Sequence, residues 1–123
     1  PGRSGAWNNL GFALYRRGRF EEAVTAYQEA LRRAPGQRRL RNNLGFAYGR
    51  LGKLDRAKRE FERAGGQAAA QNNLGQVLEE RQDHAAACAA YREAFELDPS
   101  LKPAQENSSR ACASPLTFER TAP

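Results

Sequence analysis

Methionine is absent from this 123-residue chain, histidine and tryptophan occur once each, and cysteine occurs twice. No run approaches the ~20 consecutive apolar residues that a bilayer-spanning helix requires. No glycine-rich phosphate loop occurs either. The only histidine, His84, lies four residues before Cys88, a spacing that places two potential metal ligands on one helical face. A closed zinc site takes four, however, and nothing nearby completes the set. A Cys–His dyad would also need an oxyanion site and a setting that favours the thiolate, and neither is visible. Glu79 and Glu80 are adjacent, so they diverge by ~100° around a helix and do not form a catalytic pair. An enzyme is therefore not expected, and no metal or cofactor. Two cysteines define no redox compartment. One Cys88–Cys112 bridge is arithmetically allowed, but two separate free thiols are the default expectation. The first residue is Pro1, so a trimmed N-terminus is expected, with residues 1–5 a candidate appended segment and no information on compartment.

What is present suits thin helical layers. Apolar residues make up 40% and charged residues 28%, with a mean hydropathy of -0.81. The length fits one domain, expected over residues 1–112. The net charge of +6 is unevenly placed: residues 1–71 carry 15 Lys and Arg against 6 Asp and Glu, whereas residues 72–123 carry 5 against 8. Such polarity could steer an acidic partner toward the N-terminal part, but solvated Arg-rich helix faces are the preferred explanation.

Asn-Asn-Leu-Gly occurs three times, at Asn8 to Gly11, Asn42 to Gly45 and Asn72 to Gly75, with offsets of 34 and 30 residues. Around the first copy, Trp7, Leu10, Gly11 and Leu14 fall at i, i+3, i+4 and i+7, one stripe of a helix. Ala23, Tyr27, Ala30 and Leu31 form a second stripe after a break at Gly18. Gly11 facing Ala23 would let the two helices approach closely. Gly18 and Gly52 are expected as left-handed helix ends, and Pro35 and Pro99 lie between helices. Glu21, Glu22 and Asp55 fall in first turns, where the helix dipole favours acids. Each hairpin alone leaves a face unburied, so neighbours must stack.

These residues resemble the tetratricopeptide repeat, whose period is near ~34 residues. The first unit, about 4–37, supplies Trp7, Leu10, Gly11, Leu14, Ala23, Tyr27, Ala30 and Pro35. The second, about 38–67, supplies Leu44, Gly45, Tyr48, Ala57, Phe61 and Ala64, with Arg41 in the place of the Trp. The third, about 68–101, supplies Leu74, Gly75, Leu78, Ala87, Tyr91, Ala94 and Pro99. The resemblance implies an all-α right-handed superhelical solenoid of three antiparallel hairpins with a weak closing helix over 101–112.

The chain departs from the pattern in three places. The second hairpin is about one turn short and is expected to end at Gly65-Gly66. Gln82 and His84 replace the glycine and apolar residue of the other turns, so the third turn is expected to be the loosest. Ser100 is expected to N-cap the closing helix, whose face of Leu101, Ala104, Ser108 and Ala111 is poorly apolar, and residues 113–123 read as a disordered tail.

By the same resemblance, the first helix of each hairpin lines a concave groove. Asn9, Phe12 and Arg16, then Arg39, Asn43, Phe46 and Arg50, then Asn73, Gln76 and Glu80 fall there. Amides donate and accept at once, so Asn9, Asn43 and Asn73 suit the backbone of an extended peptide. The same ladder would equally satisfy hydrogen bonds between helices. If it serves binding alone, Asn43→Ala should leave the melting temperature nearly unchanged. Phe12 and Phe46 would offer apolar pockets. The carboxylate clamp of chaperone-binding relatives is not matched, because Asn8 and Ala69 stand where two of its cations are expected; Arg16, Arg39 and Arg50 still suit an acidic segment.

The NNLG spelling, Ala68-Ala69-Ala70, Asp98-Pro99-Ser100 and Pro103-Ala104 resemble repeat proteins of tight-adherence (Flp) pilus assembly, with Ser108 departing from the usual Leu. That resemblance implies a pilus or secretion-apparatus scaffold in a periplasmic or membrane-associated setting; without it the expectation is cytoplasmic. A protein or peptide partner, bound as an extended or helical segment in the groove, is expected throughout. Self-assembly through an incompletely capped end, as a homodimer, is the alternative, and a basic nucleic-acid-binding repeat ranks below it for want of a basic–aromatic platform.

Overall fold

The computed structural model describes residues 2–113, all helices and short turns. In order these are α1 (Gly2–Arg16), α2 (Phe20–Arg33), α3 (Arg38–Arg50), α4 (Leu54–Glu80), α5 (His84–Leu97) and α6 (Lys102–Cys112). Gly66 interrupts α4 with φ 88° and ψ -176°, a conformation closed to residues with a Cβ. This is the shortened end expected at Gly65-Gly66. Two compact units meet in the chain at Ala64 and Gly65.

In the first unit, α1 pairs with α2, and α3 with the 54–64 part of α4. Ala23, Tyr27, Ala30, Leu40, Leu44, Ala47, Ala57 and Phe61 are almost wholly buried, each large side chain contributing about 1.5–3 kcal/mol by leaving water. The glycine of each NNLG does more than admit a neighbouring alanine. A Cβ on Gly11 would stand 2.6 Å from Tyr27 Cε1, and one on Gly45 would stand 2.5 Å from Phe61 Cε1. Gly11 therefore meets the Tyr27 ring: the aromatic of the second helix sits against a glycine window in the first. Ser4 is also buried and donates to Ala30 O at 3.3 Å, so residue 4 packs as part of the hairpin.

The second unit repeats the plan with the 67–80 part of α4 and with α5. Tyr91 covers Gly75 as Tyr27 covers Gly11, and Ala70, Val77, Ala87, Tyr91 and Ala94 fill the core. The turn before α5 is built like the other two. Gln82 takes φ 65°, close to the 79° of Gly18 and 77° of Gly52. Asp83 N donates to Leu78 O at 2.9 Å, matching Arg19 N to Leu14 O at 2.9 Å and Lys53 N to Tyr48 O at 3.0 Å. Asp83 also caps α5 by accepting from Ala86 N at 3.3 Å. Carbonyl positions set by the helices dictate this turn, and Gln82 is held in the left-handed region to fit them.

At α6 two expectations are corrected. Ser100 does not cap the helix: Leu101 occupies the N-cap position, and Ser100 instead donates from its N (3.1 Å) and Oγ (2.6 Å) to Asp98 Oδ1. Cys88 and Cys112 are not free thiols; they form a disulfide, with Cα atoms 4.9 Å apart, inside the usual span for such a bridge. The helix itself buries only Ala104 and Ala111. The expected tail lies outside the described residues from 114 onward.

Candidate functional site

Helical spacing places Asn9, Phe12 and Arg16 on one face of α1, and Arg39, Asn43, Phe46 and Arg50 on one face of α3. Asn9, Arg16, Arg39 and Arg50 are exposed. Phe12 is 53% exposed, a large apolar side chain left in water, and the Arg16 guanidinium lies 5.7 Å from its ring centre. Phe46 is half-buried and packs edge-on against Phe61 at 4.9 Å, so only part of its ring is available to a guest. The Arg50 guanidinium lies over the Phe20 ring at 4.6 Å. In the second unit, Asn73 and Gln76 are half-buried.

The amides do more than face outward. Asn43 Nδ2 donates to Asn8 Oδ1 at 3.0 Å, so the second Asn of one motif ties α3 to the first Asn of the preceding motif on α1. The second unit repeats the bond: Asn107 Nδ2 donates to Asn72 Oδ1 at 2.9 Å, again across 35 residues. Asn107 escaped the sequence reading because Ser108 and Ser109 stand where Leu-Gly would follow it. The spacing from Asn73 was the signal that could have found it. Asn8, which occupies a clamp-cation position, is thus engaged as an acceptor.

A second network also escaped notice. Arg110 on α6 grips Glu79 with Nη1 at 2.6 Å and Nη2 at 2.8 Å, and the Tyr91 hydroxyl donates to the same carboxylate. The Arg110 hydrogen bond holds the Glu79 carboxyl below its usual range, partly offset by burial. Burial, then the Glu79 hydrogen bond, pushes the Tyr91 hydroxyl up. Burial likewise raises Tyr27 to about 12. Both tyrosines stay protonated, and Tyr91 donates to Glu79.

Surface depressions fall elsewhere. One of about 260 Å³ is lined by Trp7, Leu10, Leu14, Glu22, Thr25 and Ala26. Another, polar, is lined by Tyr48, Arg56, Arg59, Glu60 and Arg63. Neither contains any of the groove residues expected from the sequence. Among the described residues there is no cluster of three or more potential metal ligands, and no helix is long and apolar enough to cross a membrane.

Paired helices of 13 to 15 residues, each aromatic set over a glycine of its partner, define an all-α helical-hairpin repeat. The tetratricopeptide repeat pattern matches residues 3–64 and again 68–101; the chain belongs to the tetratricopeptide repeat family. None of the curated proteins matches the chain in sequence. Among solved structures it is similar to the first TPR of Spaghetti (RPAP3) bound to the HSP90 peptide SRMEEVD, at TM-score 0.63 and 21% identity over 89% of this chain and 90% of that one. It is similar also to the Sgt2 TPR domain from Aspergillus fumigatus, at 0.66 and 21% over 100% and 85%. The second TPR domain of human RPAP3, in complex with the HSP70 peptide SGPTIEEVD, gives 0.62 and 18% over 91% and 97%. At these identities the likeness establishes the fold.

Proposed function

We propose that this chain is a non-catalytic protein-interaction scaffold that takes an extended, acidic peptide segment across the exposed faces of α1 and α3. The observation that carries this reading is Phe12, half out in water beside Arg16, on the same helix face as exposed Asn9. Arg39 and Arg50 supply further positive charge on α3, with Asn43 and the open part of Phe46 between them. A guest would gain mainly from burying an apolar side chain against Phe12, while guanidinium groups meet its carboxylates. Asn73 and Gln76 are proposed to offer the same chemistry on their own helix.

Neighbouring folds that hold peptides ending in Glu-Glu-Val-Asp support an acidic guest. Asn8 and Ala69 argue against recognition of a free C-terminus, since neither brings the positive charge a clamp needs. The test is fluorescence anisotropy of labelled SRMEEVD with free and with amidated C-terminus. Both forms should bind, and Phe12→Ala and Arg39→Glu should each weaken both. Absence of binding, or binding indifferent to these substitutions, would refute the assignment. The finer proposal, that the natural guest belongs to a pilus or secretion apparatus, rests on the phrases from Ala68 to Ala104. Co-purification with such components is its test.

A further inference from the structure

The disulfide and the repeat together suggest what α6 is for. Counting by the repeat, Ser108 stands where Leu10, Leu44 and Leu74 stand, and Cys112 stands where Leu14, Tyr48 and Leu78 stand. In the first unit, α3 packs on α2 with Leu44 3% and Tyr48 7% exposed, and Gln28 on α2 donates to the Tyr48 hydroxyl at 3.1 Å. In the second unit, α6 packs on α5 in the same manner, using the same Asn–Asn bond. It brings serine and cysteine to the positions where α3 brings leucine and tyrosine. Little apolar surface holds it; the Arg110–Glu79 pair, the Asn107–Asn72 bond and a covalent bond from Cys112 to Cys88 do instead.

The helix with the better residues for that seat is α1. It shares the hexapeptide Asn-Asn-Leu-Gly-Phe-Ala with α3 (Asn8 to Ala13, Asn42 to Ala47). Its equivalents of the buried Leu44 and Tyr48 are less covered: Leu10 is 45% exposed and Leu14 is half-buried, and with Trp7 they line the 260 Å³ depression. The receiving surface is also shared. Ala87, Tyr91 and Ala94 of α5 repeat Ala23, Tyr27 and Ala30 of α2. Charge agrees with the pairing, because basic residues dominate 1–71 and acidic ones 72–123.

We infer that α6 is a covalently held plug, and that reduction of Cys88–Cys112 lets α1 of a second copy replace it on α5. The product is a head-to-tail association in which Asn9 takes the place of Asn107 on Asn72, and Leu10 and Leu14 take those of Ser108 and Cys112. A dithiol supplies the reduction: its thiolate attacks one cystine sulfur, the S–S bond breaks, and its second thiol closes a cyclic disulfide. Two electrons and two protons pass to Cys88 and Cys112, which are left as thiols. Because the contact joins α1 of one copy to α5 of another, it is a head-to-tail contact that can extend to further copies or close into a ring. This proposal goes beyond peptide capture and uses the Leu10 and Leu14 side of α1, sharing Asn9 with the peptide face.

The test is sedimentation velocity of the chain over a wide concentration range, with and without dithiothreitol. The oxidised chain should sediment as a monomer. The reduced chain should shift to faster-sedimenting species as concentration rises, and excess dithiol excludes intermolecular disulfides as the cause. Leu10→Glu, at a half-exposed position, should keep the reduced chain monomeric with an unchanged helical circular dichroism spectrum. Cys112→Ser should associate without reductant. A reduced chain that stays monomeric at every concentration overturns the proposal. So does association that Leu10→Glu leaves intact, or equal association of the oxidised chain.

Discussion

Asn43 on α3 donates its amide to the Asn8 carbonyl on α1 at 3.0 Å, a bond between two half-buried side chains that ties one hairpin to the next. Asn43→Ala removes the donor and leaves the Asn8 acceptor without it, so a stability loss of about 1 kcal/mol is expected. This replaces the expectation of an unchanged melting temperature. A double-mutant cycle with Asn8→Ala, read by urea denaturation, should return a favourable coupling; strict additivity would mean the bond carries no net energy.

Gly45 sits under Phe61 so closely that a methyl group would stand 2.5 Å from Cε1. Phe61 is fully buried and cannot step aside. Gly45→Ala should therefore cost about 1–3 kcal/mol through overpacking, despite the better helix propensity of alanine. Gly5→Ala, where nothing approaches within 4 Å, is the control and should be neutral or stabilising. Chemical denaturation of the two variants distinguishes packing from propensity.

Gln82 holds φ 65° in the turn where the first two hairpins use glycine. Left-handed backbone costs a side-chain-bearing residue about 1 kcal/mol or somewhat more, so Gln82→Gly should raise stability by roughly that amount, less the entropy glycine adds to the unfolded chain. A drop in the denaturation midpoint would mean the Gln82 side chain contributes something its exposed position does not suggest.

Glu79 titrates below its ordinary value of 4.5 because Arg110 hydrogen-bonds its carboxylate. An acid depressed in the folded state contributes stability that is present above its unfolded pKa and lost as pH falls through the folded one. The grip on α6 should therefore hold above about pH 4.5 and weaken progressively below it. Hydrogen exchange of α6 amides across that range should report the loosening, and Arg110→Ala should remove most of the pH dependence.

The hairpins were legible because each rests on local arithmetic: the NNLG period, the stripe through Trp7, Leu10 and Leu14, and breaks at Gly18, Gly52 and Gly66. What failed to show depends on partners distant in sequence. Spacing says that two helices touch but not that the Tyr27 ring lies over Gly11. The left-handed φ of Gln82 follows from the carbonyls of Leu78 and Glu79, which residue type does not reveal. Cys88 and Cys112, Glu79 and Arg110, and Asn72 and Asn107 each lie 24 to 35 residues apart. Nothing local to one member names the other. For the candidate site, the helix face was readable from Asn9 and Phe12, whereas the engagement of Asn43 with Asn8 was not.

The account rests most heavily on the exposed face of α1 and α3 as the place where a peptide lies. Amide chemical-shift mapping of the isotope-labelled chain during titration with the amidated SRMEEVD peptide examines that face directly. Shifts are expected to gather at Asn9, Phe12, Arg16, Arg39, Phe46 and Arg50. Shifts gathered instead around Tyr48, Arg56, Arg59 and Arg63, or none at saturating peptide, would contradict it.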